Sequence, residues 1–279
     1  MSQDAKPEHV SERVMVYRIP GMDAVEVRRD VEYRAADAAA GALTMDVYYP
    51  PGAKAGAPVP AVVLVAGFPD PGYEAKLGCK FKETGSSRSW GRLLAASGLA
   101  AITYTNREPA ADIHALLAHL RRTAAALGID ADRLGLWATS GNVPVALSVL
   151  MREDPGRVKC AVLCYGYTLD LDGSGRVAEA SAKWGFVNPC AGKSVADLPA
   201  RVPLFVARAG RDEIPHLNET LDRFLAHALT HNLPVTLTNH PAAPHAFDLF
   251  DDSGASREVV RQALAFTQSH LLKAVGRES

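Results

Sequence analysis

Ser140 has the setting that most specifically suggests chemistry. It ends an apolar run (Leu134, Leu136, Trp137, Ala138), stands between Thr139 and Gly141, and is followed at once by Asn142-Val143-Pro144. A strand that turns directly into a helix lifts a serine hydroxyl clear of the sheet, where a nucleophile must stand. The N–H of Gly141, at the N-terminus of that helix, opens to the same space and can stabilise a developing oxyanion. Asn142 suits a helix cap, and Pro144 suits a first turn. This arrangement fits attack on a carbonyl carbon. It also requires a base for the serine proton and a carboxylate to orient that base. Two histidines follow the apolar run at 235–239, His240 and His245. Four carboxylates follow strand-like runs: Asp212 and its neighbour Glu213 after 204–207, and Asp170 and Asp172 after 158–165.

Other chemistry-bearing patterns are weaker. His227 and His231 lie one helical turn apart, a spacing that suits zinc, but no acidic third ligand accompanies them in the sequence. The stretch Gly173-Ser174-Gly175-Arg176-Val177-Ala178 imitates a dinucleotide loop, yet it lies well beyond its strand and opens no clear helix. Neither a metal nor an organic cofactor is expected. Lys80, Lys82, Arg88 and Arg107 fall in segments expected near the carboxyl edge of a sheet. Most such charges are solvated. One or two, Lys80 and Arg107 foremost, are candidates to hold a substrate carboxylate, and Trp184 is a candidate wall for a substrate pocket.

The elements that must position these residues follow from the hydrophobic pattern. Residues 61–65, 99–104, 134–138, 158–165, 204–207 and 235–239 are continuous apolar runs, the mark of strands covered on both faces. Residues 25–33 and 43–49 read as a hairpin ahead of them, and 13–19 as a β-like stretch in an N-terminal arm spanning 1–20. Ile113, Leu116, Leu117, Leu120, Ala124 and Leu127 recur at helical spacing between Pro109 and Gly128. Leu217, Leu221, Phe224, Leu225 and Ala228 form a second stripe. Val260, Leu264, Thr267 and Leu271 form a terminal one. Strands alternating with helices give an α/β protein with a mostly parallel sheet of about eight strands and helices on both faces. Ser140, a carboxylate and a histidine that follow these strands must then meet at one sheet edge, so 21–279 is expected to be a single domain. Two connections, 67–89 and 166–203, are long enough to be loops or lids over that edge.

Composition excludes other classes. The 279 residues carry 30 Lys plus Arg against 31 Asp plus Glu, a formal charge of −1, so no dominant field draws nucleic acid or an anionic membrane. The chain is 48% apolar and 22% charged, as in ordinary globular proteins. No stretch approaches the roughly 20 apolar residues of a membrane span, and residues 1–12 contain no apolar core of a signal peptide. The four cysteines, Cys79, Cys160, Cys164 and Cys190, show no framework spacing. Cys160 and Cys164 sit on one strand, too far apart to bridge. A cytoplasmic location is expected, with a small molecule as partner and a homodimer left open.

Four segments together resemble the α/β-hydrolase superfamily, and within it the dienelactone hydrolase-like serine esterases, over about residues 25–275. Ala138-Thr139-Ser140-Gly141-Asn142 is similar to the G-x-S-x-G elbow, with Ala and Asn at its outer glycines. Residues 208–215 resemble the family's acid loop, one residue shorter before Pro215, and match Asp212 to the triad acid. His245-Ala246-Phe247 resembles the H-x-F end loop and matches His245 to the base. Ala66-Gly67-Phe68-Pro69 resembles an H-G-F-P loop, with Ala for His, and makes the Phe68 N–H the second oxyanion donor beside Gly141. The resemblance implies an α/β-hydrolase fold and a serine carboxylic-ester hydrolase acting through an acyl-enzyme. Dienelactone hydrolases proper use a Cys nucleophile, so Ser140 counts against that substrate. Peptidase, thioesterase and acyltransferase activities share the fold. The replacements Ala66, Ala138 and Asn142 also motivate a catalytically silent binding protein as the alternative.

Overall fold

The computed structural model describes residues 9–36, 40–53, 57–152 and 157–272. An edge hairpin, β1 (Glu26–Arg34) and β2 (Leu43–Tyr49), precedes β3 (Val59–Leu64), β4 (Ala100–Tyr104), β5 (Ile129–Thr139), β6 (Val158–Cys164), β7 (Leu204–Ala209) and β8 (Val235–His240). The described residues form one eight-stranded sheet in the order β1-β2-β4-β3-β5-β6-β7-β8. β1 and β2 pair antiparallel, as does β2 with β4, and every later pair is parallel.

The apolar runs are continuous because both faces are covered. Along β3 and just past it, Ala61, Val63 and Val65 enter one core, while Val62 and Leu64 enter the other, as the period of two requires. The first core receives α3 (Pro109–Leu127), α4 (Val143–Arg152) and α6 (Leu217–Thr230) through Ile113, Leu116, Val145, Leu147, Phe224 and Ala228. The second receives α2 (Gly85–Ala96) and α8 (Gly254–Leu271) through Trp90, Leu93, Val260 and Leu264. No helix among the described residues is long and apolar enough to cross a membrane.

Three expectations need correction. The connection 67–89 is not a loop: it folds into α1 (Asp70–Leu77), a 3₁₀ turn at Phe81–Glu83 and the start of α2. Polar spacing hid α1, whose one fully buried side chain is Asp70. The Asp70 carboxylate accepts hydrogen bonds from Phe81 N at 2.9 Å and Asn106 N at 2.8 Å, and burial pushes its pKa up despite them. The connection 166–203 likewise holds α5 (Arg176–Trp184). Residues 13–19 form no strand. They are tied instead by Met15 N to Ser89 Oγ at 3.1 Å and by Val16 N to the Asp248 carbonyl at 2.7 Å. Of the expected arm, residues 1–8 lie outside the described residues.

Lys82 also departs from its expected place. Its ammonium is buried, 2.6 Å from both Asp30 Oδ1 and Asp46 Oδ1, and so ties the segment after α1 to the hairpin. Burial alone would lower its pKa, but the hydrogen bonds to the two carboxylates outweigh it and the net shift is upward. Removing one partner of a buried pair strands the other. Lys82→Met should therefore cost about 3 kcal/mol in urea unfolding, and Asp46→Asn in the same chain should recover part of that loss.

Candidate functional site

β5 ends at Thr139, and Ser140 takes the left-handed conformation, φ 53°. A non-glycine residue there is strained, and the strain persists only because the surroundings hold it. A 3₁₀ turn at Ser140–Asn142 then runs into α4. Asn142 does not act as the helix cap expected from its type. Its Oδ1 accepts the N–H of Gly67 at 2.7 Å, joining the loop after β3 to the turn after β5. β3 and β5 are adjacent in the sheet, and here their loops are in backbone contact. A Cβ at position 67 would lie 2.6 Å from the Gly141 carbonyl oxygen and 2.8 Å from the Asn142 Cα. Only glycine fits that approach. The replaced outer residue of the elbow is thus the clamp for the neighbouring loop.

Asp212 and His245 reach the same place from β7 and β8. Gly210 N donates to the His240 carbonyl at 2.9 Å and Arg211 N to the Ala243 carbonyl at 2.8 Å, so the two loops are laced together. His245 Nδ1 lies 2.6 Å from Asp212 Oδ2, and His245 Nε2 lies 3.0 Å from Ser140 Oγ. The Asp212 side chain is 0% exposed and that of His245 24%. Asp212 Oδ1 is further held by Ile214 N at 3.0 Å. An ionised carboxylate can only accept, so the proton of a neutral imidazole belongs on Nδ1. Nε2 is then free to accept from the Ser140 hydroxyl. A serine, an imidazole and a carboxylate at these spacings can serve as nucleophile, base and orienting acid.

The other candidates are engaged elsewhere. Glu213 is exposed. Asp170 accepts Val177 N at 2.8 Å and Ala178 N at 3.0 Å, holding the start of α5. Asp172 faces His227 Nε2 at 3.1 Å, and His231 Nδ1 lies 2.8 Å from the His227 carbonyl. His240 is buried beside Asp251 at 3.5 Å. Among the described residues no group of three or more His, Cys, Asp or Glu side chains is placed to share a metal ion.

Behind His245 lies a layer that sequence patterns did not reveal. The Tyr165 ring meets the imidazole edge-on, with centroids 5.1 Å apart. Tyr165 is itself in the left-handed region, φ 36°, and donates its hydroxyl to Asp248 Oδ1. Trp90 Nε1 donates to Asp248 Oδ2 at 2.8 Å. Burial pushes the Asp248 carboxyl above its ordinary range and the Tyr165 phenol well above its own. Their only sequence signal was adjacency, since Tyr165 ends an apolar run and Asp248 follows Phe247.

Ser140 and Gly141 line a cavity of about 240 Å³. Its walls are Phe68, Tyr167, Trp184, Phe186 and Ile214, and its one charged lining residue is Lys76. Phe186 stacks on Tyr167 with centroids 5.4 Å apart and meets Phe68 edge-on at 5.9 Å. Val187 N donates to the Gly67 carbonyl at 2.9 Å, so the segment after α5 rests on the same glycine that Asn142 clamps. Of the expected pocket residues, Trp184 is present; Phe68, expected as an oxyanion donor through its N–H, also lines the cavity. Lys80 and Arg107 do not line this cavity. Lys80 N is turned onto Glu83 Oε2 at 2.9 Å, whereas the Arg107 guanidinium donates to the Gly41 carbonyl and its N–H to Asp112 Oδ2 at 2.7 Å. The helix hidden in 67–89 is what brings Lys76 there instead.

No protein family's sequence profile matches the chain, and no curated protein matches it in sequence. Solved structures do. A bacterial heroin esterase superposes with a TM-score of 0.65 at 19% identity, covering 90% of this chain and 86% of its own. A thermophilic esterase from the Planctomycetes species Thermogutta terrifontis gives 0.66 at 19%, covering 94% and 98%. An α/β hydrolase enzyme from the metagenome of Lake Arreo, Spain, gives 0.67 at 22%, covering 89% and 83%. The chain has the α/β-hydrolase fold.

The Gly67–Asn142 clamp can be tested without any assay of activity. Asn142→Gly restores the residue type of the usual elbow but leaves the buried Gly67 N–H without its acceptor, which costs about 1–3 kcal/mol. Chemical denaturation should show a loss of that size. A variant as stable as the parent would show that the hydrogen bond holds nothing.

Proposed function

We propose that the protein is a serine carboxylic-ester hydrolase that works through an acyl-enzyme intermediate. The observation that carries this reading is the continuous contact Ser140 Oγ–His245 Nε2–Asp212, with spacings of 3.0 and 2.6 Å, opening on an apolar cavity. The Ser140 oxygen adds to the ester carbonyl carbon while its proton passes to His245 Nε2. The oxyanion is received by the N–H groups of Gly141 and Phe68, whose loops meet at Gly67; each such donor is typically worth about 10²–10³ in rate. Asp212 fixes the imidazole tautomer and stabilises the imidazolium. Collapse of the tetrahedral intermediate breaks the ester C–O bond, and the imidazolium proton goes to the departing alcohol. Water, deprotonated by His245, then adds to the acyl-enzyme, releasing the acid and returning the proton to Ser140.

The end loop His245-Ala246-Phe247 favours the dienelactone hydrolase-like branch of esterases. The solved neighbours named esterases agree with ester chemistry at the level of fold. Cys79, Cys160, Cys164 and Cys190 are all free thiols, which fits a cytoplasmic location. Peptide or thioester cleavage would use the same groups. The aromatic walls, rather than any row of backbone partners, are what favour a small ester.

A fluorophosphonate probe should label the folded protein at Ser140, and Ser140→Ala should abolish labelling. On short aryl esters Ser140→Ala should lower kcat by at least about 10³, and Asp212→Asn by about 10⁴ through loss of the correct tautomer. Folded protein that neither labels nor turns over aryl esters would instead be a hydrolase-like binding protein.

A further inference from the structure

The cleft at Ser140 is apolar apart from one cation, and that cation is not neutralised. A second cavity of about 250 Å³ adjoins the first and shares Phe68, Lys76 and Trp184 with it. No Asp or Glu lines either cavity, and among the described residues no carboxylate forms an ion pair with Lys76. Its one described hydrogen bond runs from Nζ to the Trp184 carbonyl at 3.4 Å. That contact sets a positive charge at the C-terminus of α5, where the helix dipole favours it, and it engages only one of three ammonium N–H donors.

The helix that carries Lys76 is fastened in place. Lys76 lies in the last turn of α1. The start of that helix is fastened by the buried Asp70 to Phe81 N and Asn106 N, and its middle by Tyr73, whose ring meets Phe68 and Phe81 at centroid distances of 5.9 and 5.8 Å. The exposed Lys76 side chain thus rises from an anchored helix onto the wall shared by both cavities, beside the residue proposed to donate to the oxyanion.

We propose that Lys76 is a substrate-binding residue that holds a carboxylate carried by the ester. The substrate class is a half-ester of a dicarboxylic acid or an ester of a hydroxy acid. One isolated cation in an apolar cleft matches a monoanion on an apolar body, where a charge-assisted hydrogen bond adds orientation as well as affinity. This inference rests on the ester-hydrolase reading, and the experiment separates the two.

Two matched substrate pairs carry the charge on opposite sides of the ester: 4-butyryloxybenzoate against its methyl ester, and monophenyl glutarate against phenyl valerate, the latter pair corrected for uncatalysed hydrolysis. In at least one pair the ratio of kcat/KM, charged over neutral, should fall about 10-fold on Lys76→Met, mainly through KM, and further on Lys76→Glu. The ratio should also fall with added salt in the parent but not in Lys76→Met. A Lys76 that only capped α5 would change stability and leave both ratios in place, and unchanged ratios in both pairs overturn the proposal. Calorimetric binding to Ser140→Ala, with and without Lys76→Met, keeps the inferences apart. Tighter binding of the charged member that Lys76→Met abolishes, without turnover in the parent, would leave the subsite standing and remove the hydrolase reading. Turnover with equal binding of both members would remove the subsite alone.

Discussion

The contact between the Gly67 backbone and the turn at Gly141–Asn142 is the constraint on which the rest of the site depends. It brings the loops of two adjacent parallel strands, β3 and β5, to a separation that no Cβ at position 67 would allow. The Asn142 side chain then fixes that approach with a hydrogen bond of 2.7 Å to a buried N–H. From the same glycine, the carbonyl accepts Val187 N at 2.9 Å and so seats the segment that carries Phe186 against Phe68. A single residue's backbone thus ties together the loop after β3, the turn after β5 and the segment after α5.

The cost of this arrangement is local strain, carried by packing around it. Ser140 and Tyr165, the residues that directly follow β5 and β6, both sit in the left-handed region. Conformations of that kind cost on the order of 1–3 kcal/mol each and survive where surrounding structure over-determines them. Ser140 is held between β5 and α4. Tyr165 is held by the buried carboxylate of Asp248, itself fixed by Trp90. Tyr165 in turn backs the His245 ring. A buried carboxylate whose charge is disfavoured by its surroundings is expensive, and here it orders the residue behind the imidazole.

How much of this was legible depends on where the information resides. The strand at 43–49 and the end of the helix before Gly128 were readable to the residue, because alternation and spacing are local properties. That Ser140, Asp212 and His245 come together was expected from the resemblance of their loops to known motifs, since Asp170, Asp172, Glu213 and His240 also follow apolar runs. Helix α1 was not, because its amphipathic signal is almost nil: its buried anchor is a carboxylate, and Tyr73 reaches Phe68 rather than the core. Missing that helix moved the expected cation from Lys76 to Lys80 and Arg107. The role of Asn142 was misassigned for a related reason. Residue type suggested a cap, and only the approach of a loop 75 positions earlier reveals its partner.

The central claim is that Ser140, His245 and Asp212 act together on a carbonyl whose oxygen is received between Phe68 and Gly141. A crystal structure of the protein inactivated with a small alkyl phosphonate examines all of these atoms at once. If the claim holds, phosphorus is bonded to Ser140 Oγ, and the phosphoryl oxygen lies about 2.7–3.1 Å from the N–H groups of both Phe68 and Gly141. An adduct on any other residue, or a phosphoryl oxygen turned away from both N–H groups, would contradict it.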